Sequence, residues 1–444
     1  MRLIALRLLA ASSLLLGSAG AETRPHYAGA LRVMVRSAAG SLDPVELAGT
    51  ADGRNIARLV FDTLITLDDR GIAQPSVASS WQSDAEHRRW QFFLRTAVTF
   101  SDGSPLTAES VAASLRANNP QWHVVAAGDS VAIELEPPNV DLPAELALVR
   151  NSIVRHDGAK LNGTGPFAVR EWLPGKKLAL TARDNYWNGR AFLSSVEIDL
   201  GGDSRALDVG RYHFTEIAPE QARRTAGSRV SAPSELLALV FTRVPASPEE
   251  GRQRGALSLS IDRKVIADVL LQGGAEPARG LLPGWLTGYD FLFSSDTNLP
   301  LARQVVGEIR QRTPWSLGYD ATDPVARLMA ERIALNASDA GIKLLPTTAA
   351  NADARLIRLS LTSLDPRVAL ESWATNIGLT PPKFAGTASE ELYGAERTLL
   401  QTQRIIPLVH VKAAFALAGS VNGWTNSRSG DWHLTDVWLG ADKP

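Results

Sequence analysis

Hydrophobic and polar positions along the chain switch between two periods. Alternation in LRVMVRS (31–37) predicts a strand. Ile56, Leu59, Val60 and Leu64 recur at helical spacing and predict a helix from Asn55 towards Leu67 that leads into a short strand. The aromatic and β-branched run WQFFLRTAVTF (90–100) predicts a strand, and Ser101-Asp102-Gly103-Ser104-Pro105 supplies turn chemistry after it. A helix then begins with Thr107 as N-cap and Glu109 in a position that suits the helix dipole, while Leu106 and Val111 can form a hydrophobic staple. VAIEL (131–135) alternates within a predicted strand pair over 122–136. Phe167 and Val169 before Pro174-Gly175, with Leu178 and Leu180 after it, predict a hairpin. SSVEIDL (194–200) predicts a further strand, and the unbroken apolar run LLALVFT (236–242) a buried one.

From about residue 250 helices and strands alternate. Leu301, Val305 and Ile309 predict one apolar helix face. Asp323 and Pro324 read as the cap and first residue of another helix, faced by Val325, Met329 and Ile333. GIKLL (341–345) follows as a strand, so 315–345 predicts a right-handed parallel unit. IIPLVHV (405–411) and Asn422-Gly423-Trp424 return to strand and turn. A mixed first half, an α/β second half and a returning tail are the pattern of two lobes joined by crossing strands, with a cleft between them.

Composition narrows the function. The 444 residues suffice for two or three domains. The 45% apolar and 21% charged content is that of a globular protein, and a net charge of −1 argues against a general nucleic-acid binder. Arg2 and Arg7, an apolar centre and Ala19-Gly20-Ala21 predict a cleavable signal peptide over 1–21. With no cysteine, disulfides, thiolate metal sites and N-terminal lipidation are excluded, and an exported chain of this kind is expected in a bacterial periplasm.

Motifs for chemistry are sparse. NGTGPFAVREWLPGKK (162–177) resembles a phosphate loop, but Arg170 stands where a glycine is needed and Lys177 where a hydroxyl is needed. The seven histidines form no i, i+4 pair or HExxH, so no metal is expected, and no GxSxG elbow occurs. Asp68-Asp69 and Glu249-Glu250 read as solvated turn charges. Among the 11 tryptophans, Trp373, Trp424 and Trp432 are candidates to line a ligand cleft.

Four stretches together resemble the family 5 extracellular solute-binding proteins, the dipeptide-, oligopeptide- and nickel-binding type that serves ATP-driven importers. They are PSVASSWQSDAEHRRWQFFLRTAVTFSDGSPLTAESVAASL (75–115), GTGPFAVREWLPGKKLALTARDNYWNG (163–189), RGALSLSIDRKVI (254–266) with Leu281-Leu282-Pro283, and Ser41-Leu42-Asp43-Pro44. The resemblance implies an α/β clamshell of the type II periplasmic binding-protein kind, with two α/β lobes and an extra subdomain on the first. Lobe I is expected over 22–47, 161–244 and 416–444, its extra subdomain over 48–160, and lobe II over 245–415. The implied function is capture of a small or peptide-like ligand by a monomer and delivery to an ABC permease in the inner membrane, without cofactor, catalytic residues or nucleic acid. Candidate ligand contacts are Thr50, Ala51, Asp365, Arg367, Trp373 and Trp424. Two departures stand out: LSLTSLDPRVALESW (359–373) lacks the tryptophan that the family carries before Asp365-Pro366, and LDVGRYHF (207–214) alters a Gly-acidic segment. The alternatives are an exported carboxylate-dependent hydrolase and a sensory or chaperone module on the same fold.

Overall fold

The structure is a computed structural model that describes residues 25–158, 160–202, 210–425 and 427–440. The expected signal peptide and residues 207–209 of the altered segment lie outside the described residues.

One 11-stranded sheet runs through both lobes. Its order is Phe167–Leu173, Lys177–Ala182, Ser195–Asp199, Ala30–Met34, Phe214–Ile217, Ile405–Leu417, Ser228–Phe241, Ala354–Ser360, Trp315–Gly318 and Leu344–Thr347, with Ala275–Pro277 also on Ile405–Leu417. The two long strands, Ser228–Phe241 and Ile405–Leu417, pair antiparallel and carry the chain from one lobe to the other. Their register shifts on both sides of Pro233, which has no N–H to give to the ladder. The ladder between the two crossing strands is therefore interrupted around Pro233.

LLALVFT shows why an unbroken apolar run reads as a strand buried on both faces. Leu237, Leu239 and Phe241 pack into one core with the Pro324–Asp339 helix, while Leu236, Ala238 and Val240 pack into another around Trp373. Trp315–Gly318 and Leu344–Thr347 pair in parallel around that helix, with Met329 and Ile333 fully buried. A third core, built on Leu31, Val33, Phe167, Leu180 and Ile198, belongs to lobe I. The extra subdomain has its own core, a four-stranded antiparallel sheet covered by the Ala108–Asn118 helix. Thr107 caps that helix, and Leu106 and Val111 share the core beneath it.

Three elements differ from expectation. The helix expected from Asn55 starts earlier and runs over Ala51–Val60, ending where Phe61 turns extended, and the short strand expected after it is Ile65–Leu67. The strand predicted over 90–100 stops at Leu94, because Ala97 takes a positive φ of 62° and turns the chain. In the Leu299–Glu308 helix Ala302 and Val306 are buried with Val305 packed beside them, and Ile309 is buried just past the helix end, so of the expected face only Leu301 is exposed.

GTGP (163–166) links the Lys160–Gly163 strand to Phe167–Leu173, the edge strand of the large sheet. The amide of Gly165 donates to Val60 O at 3.0 Å. A Cβ on Gly163 would stand 2.1 Å from Val60 O, and one on Gly165 2.6 Å from Val60 C, both backbone atoms that cannot swing aside. Gly165→Ala is expected to lower unfolding stability by ~1–3 kcal/mol in urea titrations, the range for forced overpacking. Unchanged stability would show that the helix end yields freely.

Candidate ligand-binding cleft

The Ala51–Val60 helix builds one wall of the cleft. Thr50 caps it by accepting from Gly53 N at 3.0 Å, and Gly53 packs against Leu47 O. Asn55 reaches across 375 residues of sequence: its amide donates to Gly430 O at 3.1 Å and its carbonyl accepts from Trp432 N at 3.0 Å. One helical turn on, Arg58 pairs with Asp431. The tail at 429–435 is thus pinned against lobe I by a single helix.

Arg54, buried on the same helix, ties this wall to lobe II. Its guanidinium donates to Ala48 O at 3.0 Å and to Leu361 O at 2.9 Å, and Leu361 belongs to the loop after the Ala354–Ser360 strand. Burial and the neighbouring Arg58 pull its pKa down to about 10, so it stays charged at neutral pH. A second crossing joins lobe II to the extra subdomain. Arg367 lies 2.7 Å from Asp141 and 3.0 Å from Asp365, and Leu67, Ala144, Leu148 and Val368 pack beside the bridge.

Between these crossings lies a cavity of ≈ 260 Å³, lined by lobe I, the subdomain and the Leu361–Leu364 loop of lobe II. Phe61, Leu59, Val149 and Leu364 give it apolar walls. Its polar walls divide into occupied and unoccupied groups. Asp431 is occupied: burial opposes its ionisation, but Arg58 and the Ser429 hydroxyl, which donates at 2.7 Å, outweigh it and hold the carboxyl below its ordinary value. Asp62 accepts from Tyr186 Oη at 3.0 Å and Trp187 Nε1 at 2.9 Å, yet burial still pushes its pKa up. Thr362 Oγ1 and Trp432 Nε1 are both buried and have no hydrogen-bond partner among the protein's atoms. Such groups are nearly always paired in folded proteins, and an unmade bond costs ~1–3 kcal/mol. Both residues belong to the cavity wall, one from each side of the lobe junction.

None of the six residues singled out from sequence as ligand contacts lines this cavity. Thr50 and Ala51 form the helix start. Asp365 caps the Pro366–Asn376 helix, accepting from Arg367 N and Val368 N, which leaves it bound to its own backbone and to Arg367. Trp373 is buried in the lobe II core with Nε1 on Ser360 O at 2.8 Å. Trp424 stacks on Phe214 and Phe415 in lobe I. Of the three candidate tryptophans Trp432 reaches the cavity. Arg54, Arg58, Thr362 and Asp431 were missed; the one available signal was that Thr362 lies three residues before the singled-out Asp365. Among the described residues no group of three or more His, Asp or Glu side chains is placed to hold a metal ion, and no helix is long and apolar enough to cross a membrane.

Two lobes, crossing strands and a cavity at their junction define a type II binding-protein fold. The chain belongs to the bacterial extracellular solute-binding proteins, family 5, whose middle region matches residues 73–391. Among curated relatives it is 32% identical over 196 residues to the uncharacterized protein YhjP of Bacillus subtilis, covering 41% of this chain and 34% of that one. It is 24% identical over 301 residues to the periplasmic murein peptide-binding protein MppA of Escherichia coli, covering 56% of each. The matched part therefore spans only a third to just over half of these relatives. Among solved structures, the periplasmic binding protein DppA of Helicobacter pylori with the peptide STSA superposes with a TM-score of 0.79, at 17% identity, over 94% of this chain and 99% of that one.

Proposed function

We propose that this chain is the exported, periplasmic solute-binding component of an ABC importer, a monomer that encloses a small peptide-like ligand and presents it to an inner-membrane permease. The lobes divide as the sequence suggests: 22–47, 161–244 and 416–444 for lobe I, 48–160 for its extra subdomain and 245–415 for lobe II. The carrying observation is the cavity at the lobe junction, with Thr362 of lobe II and Trp432 of lobe I both in its wall. A ligand that touches both walls is held well only when the lobes are together, so its binding free energy goes into closure. At ≈ 260 Å³ the cavity falls just below the usual ~300–1,000 Å³ of small-molecule sites, which favours a ligand of dipeptide size over an extended oligopeptide.

A hydrolase on this fold would use Asp62 and Asp431, the two carboxylates of the cavity. Both already accept bonds from protein donors, which favours bracing over acid–base work. The test is mass spectrometry of compounds released from the purified protein by denaturation, then calorimetry and turnover assays with the compound found. A short peptide that binds stoichiometrically and comes back intact supports the reading. Cleavage of it, or the absence of any small-molecule binder, overturns it.

A further inference from the structure

On lobe II, away from the cleft, a second cavity of ≈ 350 Å³ shares no lining residue with the first. Its walls carry four arginines, Arg254, Arg263, Arg279 and Arg397, and no aspartate or glutamate. The cations differ in what balances them. Arg254 is paired with Glu250 at 2.6 Å, though its buried Nε has no hydrogen-bond partner among the protein's atoms. Arg263 is 3% exposed and has no carboxylate partner among the described residues. Its guanidinium donates to Pro407 O at 2.9 Å, Ser258 O at 3.0 Å, Ser258 Oγ at 2.9 Å, Ser295 O at 3.3 Å and Ile261 O at 3.5 Å, and burial alone pulls its pKa to about 10. Arg397 lies over the Tyr393 ring, at 5.9 Å, and Arg279 is exposed.

A buried cation is normally matched by a carboxylate, because removing charge from water is costly unless an opposite charge replaces the lost hydration. Here carbonyl dipoles supply part of that replacement, and the remaining charge faces a cavity walled by serine and glutamine side chains and two further arginines. We infer that this cavity is a second ligand site, one that takes a small multivalent oxyanion such as a phosphate or polycarboxylate group. Guanidinium forks match the paired oxygens of such anions. The volume of ≈ 350 Å³ suits a molecule of that size rather than a macromolecular surface.

The test uses the full chain with pyrophosphate as probe, read by calorimetry and by thermal shift at constant ionic strength, with chloride as control. Arg279→Ala/Arg397→Ala removes two arginines that carry no ion pair, so folding is expected to persist. Saturable binding of one pyrophosphate, weakened at least tenfold in the double variant and unchanged in the cleft variant Arg367→Ala, supports the site. Equal binding in wild type and double variant overturns it. So does a response that tracks ionic strength without saturating, or tighter binding of an acidic peptide than of pyrophosphate.

Discussion

Replacing Arg367 with alanine is expected to weaken ligand binding by about ten- to a hundredfold while the fold persists. Arg367 is the ionic crossing between lobe II and the extra subdomain, 2.7 Å from Asp141 and 3.0 Å from Asp365. Removing one partner of a buried pair costs ~3–5 kcal/mol because the other charge is left stranded. Opening the cleft returns water to Asp141, so only part of that cost falls on closure, and each 1.4 kcal/mol is about tenfold in affinity. Calorimetry reads the loss, and X-ray scattering should show a ligand-bound variant more extended than wild type. Full affinity in the variant would mean that the bridge does not hold the lobes together.

The same interface makes binding depend on pH. Asp141 is pushed up to about 6, by burial first and by neighbouring Asp365, with Arg367 pulling the other way. Glu371, on the helix that carries Arg367, is pushed up to about 7 by burial, with Glu145 and Asp141 adding to it and Lys383 opposing. Both carboxyls stand above their ordinary values, so the closed molecule holds protons that an open one releases. Their contribution to closure is complete below the ordinary values and is lost as pH rises through about 6 and then about 7. Affinity should therefore fall from pH 5 to pH 8, and Glu371→Gln should flatten the upper part of the curve. The deficit of Arg367→Ala should shrink at pH 5, where Asp141 is neutral.

What was legible in the sequence follows from how local each feature is. The caps at Thr107 and Asp323 and the turn at Pro174-Gly175 depend on residues within a few positions, and they stand where the pattern puts them. The 236–242 run is read from its own composition. The close packing of Gly163 and Gly165 on the helix end at Val60 was hidden because it joins residues a hundred positions apart. The cleft was hidden for the same reason on a larger scale. Asp431 becomes a cleft residue only because Asn55 and Arg58 fix the tail, a contact across more than 370 positions that no spacing encodes. Asp365 shows the opposite failure: a conspicuous acidic residue beside a proline is spent on its own helix cap, and the cavity wall is formed by Thr362 just before it.

Arg254→Met is expected to lower the stability of the chain by ~3 kcal/mol in denaturant titrations, the low end of the cost of breaking a buried pair, because Arg243 still holds Glu250 at 2.9 Å. The Arg254 side chain is 1% exposed and Glu250, one helical turn before it, is 5% exposed. The guanidinium also donates to Arg243 O at 2.8 Å and Gln403 O at 3.1 Å, and it stacks 3.9 Å above the Phe241 ring, so it ties the helix to both crossing strands. Methionine keeps the length and the contact with Phe241 but none of the donors. Burial opposes ionisation of Glu250, yet Arg243, the Ala246 amide and Arg254 overcome it and hold the carboxyl at about 2. A depressed carboxyl stabilises the fold above its ordinary value of 4.5, and that contribution is lost as pH falls towards about 2. Wild type should therefore lose stability steeply across that window, and Arg254→Met less steeply because its Glu250 is already closer to its ordinary value. Arg254→Met/Glu250→Leu should recover part of the single variant's loss, since the carboxylate left with Arg243 alone is gone. A loss below ~1 kcal/mol in Arg254→Met would place the pair with ordinary surface bridges instead.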